Sequence, residues 1–136
     1  MAQAGDSFII HLGNTHLDWG RHRYTDSRDP IRHEGYLPIP AHIARRFNIM
    51  NSNATDGNDV LGSNLFYCQS TDGYLDGILK AQGCSSKGAF HAKNFSMQGN
   101  LKAIGNWLEL MDSRVGDSVQ LTWTSSTEII VELIKN

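Results

Sequence analysis

The sequence predicts a mainly β domain, with an open pseudobarrel of seven to eight strands and two short helices. Three observations support this fold class. Short runs that alternate apolar and polar residues recur along the chain, turn residues separate them, and each of two amphipathic segments lies between strand-like runs. So many short strands favour an antiparallel barrel or a curled open sheet, because a parallel doubly wound sheet needs more and longer crossover helices.

The first strand is predicted at Ser7 to Leu12, from SFIIHLG. The stretch that follows it, NTHLDWGRHRYTDSRDPIRHEG, has no sustained helical period and is interrupted by Pro30, so we expect a long loop or a twisted hairpin arm. GYLPIP predicts an edge strand, because Pro38 and Pro40 have no N–H group to pair with a neighbouring strand.

A short amphipathic helix is predicted from AHIARRFNI, which begins directly after a proline. Ile43 and Phe47 share the side that we expect to face the core, whereas Arg45 and Arg46 lie on the opposite side. The next stretch, NSNATDGND, is typical of a polar turn.

The second half of the chain predicts two hairpins around a second helix. VLGSNLFYCQS and GYLDGILKAQG are strand-like runs joined by TDG, and AFHAKNFS predicts a further short strand. LKAIGNWLELM predicts a helix with Leu101, Ile104, Leu108 and Met111 in one apolar stripe. DSVQLTWTS and EIIVELI predict a closing hairpin.

The length of 136 residues suits a single domain, spanning 1–136, with one core. No apolar run reaches the length of a membrane span, and the N-terminus has no basic region of a signal peptide. Cys68 and Cys84 form no CxxC motif, which favours reduced thiols. We therefore expect a cytoplasmic protein without a membrane partner.

Charge is unevenly distributed along the chain. The formal net charge is -2, yet residues 80–102 contain four lysines and no carboxylate, and residues 11–50 contain six arginines. Residues 51–79 contain four aspartates and no basic residue. If the fold brings the two basic segments together, they form the cationic face expected for a polyanionic partner. The alternative is that these charges scatter over a solvated surface.

The histidines and carboxylates do not form a recognisable catalytic or metal-binding pattern. His11, His16 and His22 lie near Asp18, but neither an HExxH nor a CxxC motif accompanies them, so we expect no metal and no cofactor. For a nuclease, Asp72 with Asp76 and Glu132 with Lys135 are the available sets. The residues alone leave three alternatives: a DNA-binding module, a small metal-dependent nuclease, and a barrel that binds a protein or sugar partner.

Two motifs, taken in order, resemble a known family. GYLPIPAHIARRFNI combines a Leu-Pro strand with a short helix, and NLKAIGNWLELMDSRVGDSVQLTW combines an aromatic-bearing helix with a Gly-Asp turn and a strand. They resemble the B3 family of DNA-binding pseudobarrels, over about residues 8–134. Asn106 precedes Trp107 where the plant members have glycine, so the chain is more similar to the DNA-recognition domains of EcoRII-like restriction endonucleases.

The resemblance implies a non-catalytic module that reads double-stranded DNA. Two arms would grip the major groove, one around GRHRYTDSRDPIRHEG and one around KAQGCSSKGAFHAKN, and a separate nuclease domain or subunit would be a further partner. These are the two segments that the charge pattern selects. The first-arm residues expected to bind DNA are Arg21, His22, Arg23, Arg28, Arg32 and His33. The second-arm residues are Lys80, Gln82, Ser85, Ser86, Lys87, Lys93 and Asn94.

Overall fold

The computed structural model describes residues 1–13, 35–54, 59–83 and 90–136. This part of the chain contains seven strands and two short helices, which confirms the predicted mainly β class. The strands are β1 Ser7–His11, β2 Leu37–Pro38, β3 Leu65–Ser70, β4 Asp76–Gln82, β5 Asn94–Met97, β6 Ser118–Ser125 and β7 Glu128–Ile134. The helices are α1 Ala41–Arg46 and α2 Ala103–Leu110, and a 3-10 turn covers Ser52–Ala54.

The strands form one mixed sheet that is nearly closed into a barrel. Their order is β1-β6-β7-β3-β4-β5-β2, and every neighbouring pair is antiparallel except β3 and β7, which run parallel. The expectation of a purely antiparallel barrel is therefore wrong at one place. Each hairpin fixes the directions of its own two strands, but the local sequence contains no signal for how the β3–β4 and β6–β7 hairpins meet.

The two ends of the barrel strands are distinguished by the pairing registers. Gln82 at the end of β4 pairs with Asn94 at the start of β5, and Pro38 at the end of β2 also pairs with Asn94. We call this the Gln82 end. On the opposite side, the last residue of β1, His11, lies next to the start of β6. Strand β2 also begins on this side. We call this the His11 end.

The core is built around Trp123 on β6, which is fully buried. The rings of Phe8, Phe47 and Phe66 lie 5.9, 5.2 and 5.8 Å from it, centroid to centroid. Phe8 comes from β1, Phe66 from β3, and Phe47 directly follows α1. One side chain thus joins three separate parts of the chain in a packed aromatic cluster.

Helix α1 confirms the predicted amphipathic segment. It begins directly after Pro40, and its Ile43 and Ala44 are buried, whereas Arg45 and Arg46 are exposed. The predicted edge strand is also confirmed, because within the described part of the chain β2 is the last strand of the sheet and pairs with β5 alone.

Helix α2 follows the predicted stripe only in part. Ile104, Trp107 and Leu108 are buried, but Leu101 is 36% exposed because it precedes the helix, which begins at Ala103. The backbone carbonyl of Leu101 instead accepts a hydrogen bond from the N–H of Gly35 at 3.1 Å.

Gly35 lies against Gly105 of α2 with no space for a side chain. A Cβ atom at Gly35 would approach within 2.6 Å of the backbone nitrogen of Gly105. This close contact fixes the point at which the chain returns from residues 14–34 to the sheet, at the His11 end.

The hairpins are close to expectation. β3 and β4 form the predicted antiparallel hairpin, and β6 and β7 form the closing one. The strand predicted from AFHAKNFS begins later, at Asn94, and His91 before it makes an isolated bridge with Met50.

Cys68 is buried and free, and burial, with a smaller effect of Asp76, raises its pKa to about 12. No helix in the described part of the chain is long and apolar enough to cross a membrane.

Candidate nucleic-acid interface

The second basic arm extends from the Gln82 end of the sheet. It leaves the carboxyl end of β4 and returns at the amino end of β5, where the backbone N–H of Lys93 donates to the carbonyl of Gln82 at 2.8 Å. Four of its predicted DNA-binding residues are described, namely Lys80, Gln82, Lys93 and Asn94. The other three, Ser85, Ser86 and Lys87, lie outside the described residues.

Both ends of this arm are anchored by the asparagine-rich turn after α1. The side-chain amide of Asn53 donates to the carbonyl of Gly83 at 3.0 Å, and the backbone N–H of Asn51 donates to the carbonyl of Phe90 at 2.7 Å. Asn51 is fully buried, and its side-chain oxygen accepts from the N–H of Asn53 at 3.0 Å. We call Asn51, Asn53, Gly83 and Phe90 the arm base.

The polar side chains next to the arm base lie on the outer face of the sheet. Along β4, Leu79 and Ala81 are buried, whereas Lys80 and Gln82 alternate with them and are partly exposed. The hydroxyl of Ser96 donates to the side-chain oxygen of Gln82 at 3.0 Å. This bond gives the Gln82 amide one orientation and directs its carbonyl oxygen toward β5.

The two described lysines of the arm differ in their surroundings. Lys80 forms an ion pair with Asp59 at 3.5 Å, and Asp59 also accepts from the hydroxyl of Ser52 at 2.7 Å. Lys93 is exposed and has no carboxylate partner among the described residues. The positive charge of Lys93 is therefore the one available to an anionic partner, while a carboxylate already partly compensates that of Lys80.

The first basic arm is bounded by described residues on both sides, although its own members are not described. Arg21, His22, Arg23, Arg28, Arg32 and His33 all lie outside the described residues. The chain leaves after β1 and returns before β2, and both points lie at the His11 end. The two arms are thus attached at opposite ends of the strands.

Among the carboxylates considered for catalysis, Asp72 has several structural partners. Asp72 accepts hydrogen bonds from the hydroxyl of Ser70, the N–H of Tyr74 and the indole N–H of Trp107, the last at 3.0 Å. Burial raises the pKa of Asp72, but these hydrogen bonds outweigh that effect and lower it below its ordinary value. Asp72 thus joins the β3–β4 turn to α2.

The other members of those sets are dispersed. Lys135 donates to Asp117, and the ring nitrogen Nδ1 of His11 lies 2.8 Å from the Ser118 hydroxyl. Within residues 1–13, 35–54, 59–83 and 90–136, no three His, Cys, Asp or Glu side chains are grouped so that they could hold a metal ion. His16, His22 and Asp18 are outside these ranges.

The asparagines and the aromatic residue of the arm base were not predicted as functional. NSNATDGND was interpreted only as a polar turn, and Phe90 as part of a strand. A partial signal was present in the sequence, because asparagines in a turn are suited to satisfy backbone groups that a loop leaves unpaired.

Comparisons with known proteins give one structural match. No protein-family model matches the sequence, and no curated protein matches it. Among solved structures, the N-terminal domain of Helicobacter pylori LlaJI.R1 is similar with a TM-score of 0.49 and 12% identical residues, over 95% of this chain and 87% of that chain. Similarity at this level carries no argument about the function of this chain.

Proposed function

We propose that this protein is a sequence-specific, double-stranded DNA-binding module of the B3-like type, in which two basic arms grip the major groove. In this proposal it is the recognition module of a restriction-modification system, similar to the EcoRII-like recognition domains. It is not catalytic by itself, it works in the cytoplasm, and a separate nuclease domain or subunit cuts the DNA.

The observation that carries the proposal is the anchored second arm with an unpaired lysine beside it. Hydrogen bonds from Asn51 and Asn53 hold the two ends of the arm, so its ends are already ordered before a ligand binds. Preorganisation lowers the entropy lost on binding. Lys93, close to the arm base, is exposed and has no carboxylate partner among the described residues, which suits a contact with phosphate.

The residue types of the arms suggest how contacts are divided. Lysines and backbone amides of the glycine-rich arm suit phosphates, which position the protein without reading sequence. Gln82 and Asn94 have the amide groups that read adenine, and the arginines of the first arm suit guanine. Lys80 must exchange Asp59 for a phosphate to contribute, so we expect its contribution to be smaller than that of Lys93.

The test is selection of bound duplexes from a randomised library, followed by a salt titration of the winner. We expect enrichment of one short motif and an affinity that falls steeply as salt rises. Salt-sensitive retention without enrichment would leave only non-specific nucleic-acid binding. No retention would contradict the proposal and favour a protein or sugar partner, and cleavage with magnesium that is lost in Asp76→Ala would favour the nuclease alternative.

A pair of variants then tests the assignment of the site. Lys93→Ala should weaken binding to all sequences and reduce the slope of log affinity against log salt by about 1, because one phosphate contact is lost. The matched control is Arg114→Ala, which removes an exposed cation that is already paired with Asp112 at 3.2 Å. Equal effects of the two changes would show that Lys93 only contributes to overall charge.

A further inference from the structure

An open cleft of about 470 Å³ lies beside the second arm, at the Gln82 end of the sheet. Its walls come from α1, from Ile39 before that helix, and from residues 90–93, which lead into β5. This volume is within the roughly 300–1,000 Å³ of small-molecule sites. The cleft therefore has space for a planar group of the size of a nucleobase.

An aromatic ring is exposed at the edge of this cleft. The side chain of Phe90 is 58% exposed, although hydrogen bonds hold its carbonyl and the backbone that follows it. Its carbonyl accepts from the N–H of Asn51 at 2.7 Å, and the N–H of Ala92 donates to the carbonyl of Ile49 at 2.9 Å. Because the backbone is held, the ring stays at the surface and presents a face on which another planar group can stack.

Positive charge borders the same cleft from two elements. Arg45 extends from α1 and Lys93 from the segment before β5, and neither has a carboxylate partner among the described residues. His91 also lines the cleft, and none of the described residues that line it is an aspartate or glutamate. Of the other described cations, Lys80, Arg114 and Lys135 are each paired with an aspartate, whereas Arg46 and Lys102 are paired with no described carboxylate. The cleft is thus complementary to an anion that carries a planar apolar group.

We propose that this cleft holds one nucleobase displaced from the bound duplex, stacked on Phe90, with its neighbouring phosphates on Arg45 and Lys93. A base inside a duplex is stacked on its neighbours and must leave the stack to meet a protein ring. The inference rests on the proposed DNA binding, because Lys93 belongs both to the second arm and to the cleft. This continuity favours DNA over an acidic peptide as the occupant.

The test compares three duplexes of one sequence: fully paired, with one mismatched pair, and with one unpaired adenine. Wild-type protein should bind the unpaired duplex most tightly and the fully paired duplex least tightly, because the cost of unstacking the base falls in that order. We expect a preference of up to about 150-fold for the unpaired over the paired duplex, because the gain cannot exceed the ~1–3 kcal/mol of one base stacked on an aromatic ring.

Three variants separate stacking from a general effect. Phe90→Ala should lose this preference, because its affinity falls most for the unpaired duplex and least for the paired one, and Phe90→Tyr, which retains a ring, should bind the three duplexes as wild type does. Tyr74→Ala is the matched control, because Tyr74 is 68% exposed but lies in the β3–β4 turn, away from the cleft. Phe90 is exposed, so its substitution should leave the thermal melting temperature unchanged, and this measurement confirms that the variant is folded.

Each contrary result has one meaning. If wild-type protein binds the three duplexes equally, or if Phe90→Ala keeps the preference, the cleft does not hold a base, while the proposed DNA binding stands. If wild-type protein binds none of them, the proposed function fails and this inference fails with it. If a glutamate- and phenylalanine-containing peptide binds wild type but not Phe90→Ala, and the unpaired base brings no gain, the cleft belongs to a protein partner.

Discussion

At the scale of single residues, Asp117 shows how a buried carboxylate organises the chain around it. It accepts hydrogen bonds from the ammonium of Lys135 and from the backbone N–H groups of Asn136 and Arg114, each at 2.9 Å. The bond from Lys135, followed by those from the two backbone groups, lowers its pKa to about 2 from an ordinary value of 3.8. Asp117 thus joins the turn before β6 to the end of β7.

This carboxylate predicts a specific pH dependence of stability. Because the pKa of Asp117 is lower in the folded than in the unfolded chain, its contribution is complete above pH 3.8 and is lost as the pH falls toward about 2. Asp117→Asn should therefore be less stable than wild type at neutral pH, and the difference should shrink over this acid range. Urea unfolding at several pH values measures it.

The control for this prediction is Asp112→Asn. Asp112 is an exposed carboxylate whose ion pair with Arg114 is on the surface, where such pairs contribute little to stability. If the two variants show the same pH dependence, the effect comes from overall charge, and the hydrogen bonds to Asp117 are not its cause.

At the scale of elements, the arm base connects the turn after α1 to the two strands on either side of the second basic arm. The 3-10 turn Ser52–Ala54 follows α1 and supplies Asn53 to the end of β4, while Asn51 supports the approach to β5. The hydrogen bond from Asn51 also holds the backbone of Phe90, which borders the cleft. The segment of Asn51 and Asn53 therefore supports both the arm and the cleft.

Loss of the hydrogen bond from Asn53 should weaken DNA binding, although it removes no contact with the DNA. We expect Asn53→Ala to reduce the free energy of unfolding by about 0.5–1.5 kcal/mol, since one hydrogen bond to Gly83 is lost. Affinity for the selected duplex should fall, but the salt slope should not change, because no phosphate contact is removed.

The matched control is Asn106→Ala, at an exposed position on α2. It should change neither affinity nor slope. If Asn53→Ala reduces the salt slope as Lys93→Ala does, then Asn53 contacts a phosphate directly, and its supporting role in the arm base is wrong.

At the scale of the whole molecule, pairs of distant segments hold the barrel together. β1 pairs with β6 and β3 with β7, and Trp123 packs against rings from three parts of the chain. To form such a non-local pairing, a long loop must close before the contacts between the two strands can stabilise it. We therefore expect folding on the millisecond-to-second scale. The stability of the arms then depends on the barrel as a unit.

Substitution of Trp123 should affect this whole unit. Trp123→Ala should cost about 3–5 kcal/mol of unfolding free energy, the usual range for a buried tryptophan. Trp123→Phe should cost much less, because it keeps a ring and removes an indole N–H that has no hydrogen-bond partner among the described residues. Urea unfolding followed by circular dichroism measures both.

Tyr67→Ala is the control for the core. Tyr67 is a β3 residue that is 49% exposed on the outer face, so its removal should cost only about 0.5 kcal/mol. A Trp123→Ala protein as stable as this control would show that the aromatic cluster is not the centre of the core.

Much of the fold could be predicted because its signals are local. Alternation with period two gives the strands β3, β4, β6 and β7, and the apolar spacing of α1 and α2 gives the buried positions of Ile43, Phe47, Ile104 and Leu108. The basic segments and their lack of carboxylates are also properties of the sequence alone, and they select the second arm before its position is known.

The tertiary structure alone decided how these pieces meet. The parallel pairing of β3 with β7, the attachment of the two arms at opposite ends, and the pairing of Lys80 with Asp59 join residues from different hairpins or turns. The Phe90 cleft likewise needs α1 next to the segment before β5. Residue periodicity acts between near neighbours in the chain, so it cannot encode contacts that depend on the relative placement of distant strands.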